Sequence, residues 1–532
     1  MHTTSVAATP IKQYPLMLRF FMPTVTDMIF FVLFYMLTYG AWASALLNDA
    51  DTGWHIRNGE YIRKTFSVPQ VDYFSYTMSG QPWYAWEWLY DIIISYVHSF
   101  WGLNGVAAVS ALIVALTFTL LFRVALARGA TLFLAAGFVV LSASASTIHL
   151  LARPHIMTWL FTVIWFYVLD RFQRRRGRIL YWLPPLMLLW VNIHGGFLIG
   201  FLLLGIYFIG NLWSRFTAAD AEARAQAGHL ARSLAMALLL CLAVTLATPY
   251  GYRLHVHIYK YLTNRYLMDH IVEFMAPNFH MAAEKYFEMI LMAAFLALAF
   301  SSGKLTAIDI LMILFGVHAT LFAARNLPVS CIMLTLTISP LLTRTLRWGS
   351  TNTELAAWVR GVFSFIDGFS GRMGIVEGRL KSHFLPIALV GLTVCLLMNN
   401  GEVFYTKILK AKFDDKQFPV KAAEFIAAQD IRDHLFTTDT WGAYLLYRLH
   451  PRFRVFMDDR HDFYQEAFLK EYIKAASVAF GWKTVLIRHQ VAWVLASPDS
   501  ALSNALKEMT DWKVTYDDGV AIVFKRVARA DH

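Results

Sequence analysis

Residues 28–64 read MIFFVLFYMLTYGAWASALLNDADTGWHIRNGEYIRK. The first part is an unbroken apolar run, and a bilayer span needs roughly 20 such residues. The second part puts Asp49, Asp51, His55 and Arg57 directly at its exit. Ionisable groups at the end of a span are costly unless they face water or a partner. This junction therefore implies a membrane protein with polar machinery where the chain leaves the lipid.

The whole chain agrees. It has 532 residues, 57% hydrophobic and only 16% charged, with a mean hydropathy of +0.47. Lipid must be the solvent for much of that apolar surface. About eleven segments reach the length of a span: 27–47, 102–122, 131–149, 155–171, 179–193, 197–214, 230–248, 286–301, 305–324, 327–343 and 384–400. The first is expected to be a retained anchor, since no small-residue cleavage motif precedes the charged loop. Cys241, Cys331 and Cys395 all fall inside apolar segments, which argues against a disulfide framework or a thiolate metal site.

The net charge is +11, and its distribution sets the topology. Short cytoplasmic loops collect Arg and Lys. Arg123 and Arg128, the run DRFQRRRGR (170–178), Arg215 to Arg232 and Arg344 to Arg379 all fall on one side if the N-terminus (1–26) is inside. Recurrence between spans marks these arginines as topological rather than as a nucleic-acid patch. The first loop (48–101), a second long loop (249–285) and the segment 401–532 then lie outside. The stretch 353–375 reads as an interfacial helix on the inner face.

From about Phe413 the composition is that of a soluble domain. FPVKAAEFIAAQ, TWGAYLLYRLHP, FYQEAFLKEYIKAASVAF and 499–509 read as helices. HLFTT, RFRVFMD and VAWVLAS read as strands, and WKVTYDDGVAIVFKRV as a hairpin turning at Asp-Gly. The expected fold is thus a polytopic α-helical membrane domain (27–400) with a C-terminal outer α/β domain (401–532). No glycine-rich phosphate loop follows any strand. MDDRHDFY (457–464), with Arg460, sits at a strand's carboxyl end, where α/β sheets bind ligands.

Polar residues recur at one depth along the outer side. WYAWEWLYD carries Glu87 and Asp91 among tryptophans. RPH carries Arg153 and His155, WVNIHGGF carries Asn192 and His194, TPYGYRLHVH carries Arg253, His255 and His257, IVEFMAPNF carries Glu273, and AARNLP carries Arg325 and Asn326. Together they imply a chamber lined by carboxylates and cations. A carboxylate can take a proton from an attacking hydroxyl, and Arg or His can hold a phosphate leaving group. A lipid-linked phosphosugar needs both at this depth. No HExxH zinc pattern and no GxSxG elbow occurs. Asp49 and Asp51, two apart, offer oxygen ligands to a divalent cation, Mg or Mn.

This arrangement resembles the GT-C superfamily of polytopic membrane glycosyltransferases, which includes the dolichyl-phosphate-mannose protein mannosyltransferases and the lipid A aminoarabinose transferases. More closely, DADTGWHIRNGEYI, PQVDYFSYT, QPWYAWEWL, RPH, WVNIHGGF, PYG, ARN and WGAYLLYRLHPRFRVFMDDRHDFY are similar to the pattern of a poorly characterised bacterial group. The resemblance implies an inverting transfer of sugar from a polyprenyl-phosphate donor to a glycan, lipid or protein acceptor at the outer face of a bacterial inner membrane. By position it makes Asp51 the leading catalytic residue, with Asp49 beside it and Glu87 a second acid. His55, Arg153, His155, His194, Arg325, Asn326 and Arg460 are the candidate substrate ligands. One departure is that GQPWYAWEW stands where the aminoarabinose transferases carry a lysine-diproline element. Two other functions stay open: a transporter or flippase for a lipid-linked saccharide, suggested by the break at NIHGG, and a non-catalytic assembly protein.

Overall fold

Backbone polar groups in lipid must be satisfied internally, so an apolar run of this composition can cross only as a helix or within a closed barrel. In the computed structural model, which describes residues 16–40, 42–300, 305–380, 382–432 and 434–527, each of the eleven apolar segments coincides with a helix. Residues 1–15 of the expected N-terminal segment lie outside the described residues. Among the described residues, six helices are long and apolar enough to cross a membrane: Arg19–Thr38, Trp88–Ala127, Leu132–His149, Gly195–Thr217, Ala221–Val244 and Ala324–Thr351. Ala357–Arg379 and Phe384–Met398, bent by 58°, make a seventh if taken as one span. Other apolar segments fall short for visible reasons. His155–Arg175 ends in charge, and Leu183–Ile193 starts on prolines and stops at the extended His194. The expected interfacial stretch forms the Ala357–Arg379 helix, with Trp358 and Phe365 exposed.

The helix Leu327–Thr351 is the axis of the bundle. Every side chain from Leu327 to Leu341 is buried, and its hydroxyls find partners inside: Thr337 and Ser339 donate to carbonyls one turn back, and Ser142 and Thr335 share a hydrogen bond of 2.6 Å. At the end of the bundle away from the first loop, Arg128 is clamped by Asp170 (2.7 Å) and Asp309 (3.6 Å).

The first loop builds the other end. Its helix Asp51–Thr65 lies against the start of Trp88–Ala127. The two backbones come so close that a Cβ on Gly59 would sit 1.9 Å from the Asp91 carbonyl oxygen. Gly102, at φ +57°, breaks the long helix where the loop portion turns into the span. Gly59→Val is therefore expected to force these helices apart, costing about 1–3 kcal/mol or more as overpacking does. A lowered melting temperature of the purified protein checks this.

The C-terminal domain carries a four-stranded sheet in the order Leu435–Phe436, Trp493–Ala496, Ile522–Arg526, Trp512–Asp517. The first pair is parallel and the rest antiparallel, with the hairpin turning through Asp518–Gly519. The expected helices are present as Val420–Ala428, Asp439–Leu449, His461–Ala476 and Ala501–Lys507. RFRVFMD is a correction: it forms no strand of the sheet. Val455 instead bridges Ser75 of the first loop, donating to the Phe74 carbonyl while its own carbonyl accepts from Tyr76. The alternation that read as a strand is real, but its partner lies in the other domain. Thr77 Oγ1 to the Phe456 carbonyl (2.6 Å) and Arg57 Nε to the Tyr447 carbonyl (2.8 Å) complete the seam.

Candidate functional site

Asp49 and Asp51 stand at the start of the first-loop helix, where the helix dipole favours negative charge. Asp49 Oδ1 accepts the Asp51 backbone N–H (2.8 Å), and Trp54 Nε1 donates to Asp51 Oδ1 (3.1 Å). Arg153 reaches both acids, Nη1 to Asp49 Oδ2 at 2.8 Å and Nη2 to Asp51 Oδ2 at 2.6 Å. The RPH turn that carries it is pinned by its neighbour: the Ala152 carbonyl accepts from Thr52 and Tyr90, and its N–H donates to Leu46. Residues 100 apart in sequence thus close on one point.

Beside them lies a second polar knot. His55 Nδ1 is 2.6 Å from Asp91 Oδ1, and Asn58 also donates to Asp91. A proton on Nδ1 leaves His55 Nε2 as an acceptor, facing Glu87 Oε2 at 3.7 Å. His194 Nδ1 accepts the Gly196 N–H (3.0 Å), so its Nε2 carries the hydrogen and faces Glu87 Oε1 at 3.5 Å. Burial, with the Asp91 charge adding, pushes the Glu87 carboxyl well above its ordinary range. Burial likewise pulls the His55 imidazolium down to about 3 against the attraction of Asp51. Glu87 thus stands between two imidazoles, His55 and His194, in surroundings that favour its uncharged form. Burial also raises Asp51, with Arg153 opposing and Asp49 reinforcing.

Across the cavity, Arg325 pairs with Glu273 (3.4 Å) and lies over the Phe274 ring. Burial works against the Glu273 carboxylate, but Arg325 and Arg153 outweigh it and lower its pKa. All ten sequence-derived site residues line one cavity of about 870 Å3. Their availability differs. His155 Nε2 is held by the His149 carbonyl (2.6 Å), and Asn326 Nδ2 donates to the Ala319 carbonyl (2.9 Å). Arg325 shows no further partner among the described residues.

Arg460 departs most from expectation. Its side chain is 1% exposed, with Nε on Asp458 Oδ1 and Nη2 on both Asp458 Oδ2 and Asp72 Oδ1, each at 2.7 Å. Its guanidinium also lies over the Trp83 ring at 4.4 Å. Two carboxylates and a stack of aromatics hold it, so it joins the domains, and only its Nη1 is left without a hydrogen-bond partner among the described residues.

The C-terminal domain supplies other groups that the sequence reading passed over. Asp459 joins Asp49 and Asp51, each offering an oxygen within 4.8 Å of the others. Asp439 and His461 make a second group with Asp459, but His461 Nε2 already meets Asp439 Oδ2 at 3.0 Å. Burial, then the negative Asp51 and Asp439, pushes the Asp459 carboxyl well up. This hard-oxygen set of excess negative charge fits a divalent cation such as Mg or Mn. MDDRHDFY was the available signal, read for its arginine rather than its acids.

No family model and no curated protein matches the chain. Solved structures do. An oligosaccharyltransferase from Archaeoglobus fulgidus, tethered to an acceptor peptide containing the NVT sequon, superposes with a TM-score of 0.54 at 11% identity, covering 89% of this chain and 68% of that one. ArnT from Cupriavidus metallidurans matches at 14% identity, with a TM-score of 0.47 when bound to undecaprenyl phosphate and 0.48 in the apo state. The former match covers 95% of this chain and 97% of that one, the latter 94% and 96%. The chain is thus a polytopic membrane protein with a C-terminal domain, sharing the fold of that oligosaccharyltransferase, as its order of spans, acidic first loop and terminal domain leads one to expect.

Proposed function

We propose that this protein is an inverting glycosyltransferase that moves a sugar from a polyprenyl phosphate to an acceptor glycan, lipid or protein. It would work at the outer face of a bacterial inner membrane, with the N-terminus inside. One observation carries the reading: a single cavity is lined by paired acids, by an arginine whose one ionic partner among the described residues is Glu273, and by an apolar flank. Leu198 and Phe322 of that flank are also exposed on the bundle surface, a route for a polyprenyl tail.

In this mechanism Asp51 takes the proton of the acceptor hydroxyl. Each of its oxygens has one hydrogen-bonding partner and retains a second acceptor site. The hydroxyl oxygen bonds to the anomeric carbon as the bond from that carbon to the phosphate oxygen breaks. Polyprenyl phosphate leaves with the electron pair, its charge met by Arg325. Glu87, His55 and His194 shape the sugar subsite as hydrogen-bonding groups, and the partly exposed Trp86 offers a ring for stacking. A divalent cation, when bound, would be held by Asp49, Asp51 and Asp459 and would supply positive charge to that side of the cavity.

The test is mass spectrometry of lipid co-purified with the full chain, where a polyprenyl-phosphate mass is expected and its absence counts against carrier-lipid handling. Two further outcomes follow. The base must be ionised, so kcat/KM rises with pH through the elevated Asp51 value. Arg153→Gln, which removes the charge that lowers that value, should move the acidic limb up by about 1 pH unit; an unmoved limb would remove Asp51 from the base role. Asp459→Asn should weaken Mn2+ binding, read by electron paramagnetic resonance, about tenfold or more.

A further inference from the structure

A second cavity, of about 710 Å3, lies behind Tyr84, which lines both. Its walls are the helix Tyr252–Thr263, the first-loop turn around Met78, and the C-terminal helix His461–Ala476. The partition between the cavities is thin. The Tyr84 ring stacks on His257 at 4.6 Å, and His257 Nε2 pairs at 3.0 Å with Asp462, which faces the first cavity.

The two cavities differ in charge. Where the C-terminal domain meets the first cavity, Asp49, Asp51, Asp439, Asp459 and Asp462 outnumber the cations. The second cavity has Glu471 as its one carboxylate among the described residues, and Arg488 and His489 already hold it. Arg253 and Lys260, seven residues apart and so on one helical face, are exposed and have no acidic partner among the described residues. Tyr252 and Tyr259 of the same helix are 66% and 69% exposed, a pattern suited to the membrane interface.

We propose that the second cavity binds the acceptor, and that the acceptor is a saccharide bearing phosphate or carboxylate groups. The inference rests on the transferase reading above. With the donor phosphate held at Arg325, the acceptor must reach Asp51 from another side. An anionic acceptor would be repelled by the acidic end of the first cavity and held by Arg253 and Lys260, whose charges are not otherwise used. Its hydroxyl enters past Tyr84 once the His257–Asp462 contact yields.

The experiment places a reporter cysteine in the second cavity: Val256→Cys on a Cys395→Ser background, full chain, in nanodiscs of zwitterionic lipid. The rate of maleimide modification is followed with glucose 6-phosphate, with glucose, and in discs containing phosphatidylglycerol. Glucose 6-phosphate is expected to slow modification at least fivefold and glucose not at all, and Arg253→Glu with Lys260→Glu should abolish the protection. Protection by phosphatidylglycerol alone would support a lipid-borne anion as the source. Equal protection by glucose, protection unchanged in the charge-reversed variant, or none from either anion would overturn the proposal. The same preparations are examined for polyprenyl phosphate by mass. If it is retained while anion protection is absent, the second-cavity proposal alone fails; if it is missing from the parent protein, the transferase reading on which the proposal rests fails too.

Discussion

Asp51→Asn is expected to reduce sugar transfer by roughly 10²–10⁴-fold, the range over which a positioned acid or base acts, while leaving the melting temperature close to that of the parent. The substitution is isosteric and keeps an acceptor for Trp54 Nε1. It removes the charge that Arg153 contacts, but Arg153 retains Asp49. Burial raises the Asp51 pKa, so the fold favours the uncharged form and a neutral amide should be tolerated. Initial rates with a labelled polyprenyl-phosphate sugar, beside a thermal melt, separate the two effects. Activity within tenfold of the parent would assign the proton to another group.

Arg460→Met is expected to act in the opposite sense, through stability. Removing one partner of a buried ion pair costs about 3–5 kcal/mol because the remaining charge is left uncompensated. Here two carboxylates, Asp72 and Asp458, would be stranded, and the Trp83, Phe74 and Phe463 rings would lose the cation they surround. Since Asp72 belongs to the first loop and Asp458 to the C-terminal domain, the seam between them should open. Faster proteolysis around residues 401–412 and a lower melting temperature would report it. Adding Asp72→Asn and Asp458→Asn to the variant should restore much of the loss. An unchanged melt with a raised KM would instead make Arg460 a substrate ligand.

These two residues show what was legible in the sequence. The place of Asp51 in the polar cavity could be read because its signal is local: an acid at the exit of an apolar run has to face water or a partner. The depth argument that gathered Arg153, His194 and Arg325 works for the same reason, since each ends an apolar stretch and the bilayer sets a common level. Arg460 looked just as functional in MDDRHDFY, but its partner Asp72 lies 388 residues away, and no local pattern announces such a pair. The same distance hid the pairing of Val455 with Ser75 and the approach of Asp459 to Asp49 and Asp51. Gly59 is a milder case: glycine in a helix marks close approach, yet only the fold shows that Asp91 is what approaches.

The most direct test of the account follows the anomeric carbon itself. Purified full-length protein is given a polyprenyl-phosphate sugar of known configuration with acceptor, and the product is examined by nuclear magnetic resonance. The account predicts free polyprenyl phosphate in equal amount to product, with the anomeric configuration inverted. Retention of configuration, or movement of the intact lipid-linked sugar across the membrane without cleavage of its phosphate bond, would contradict it.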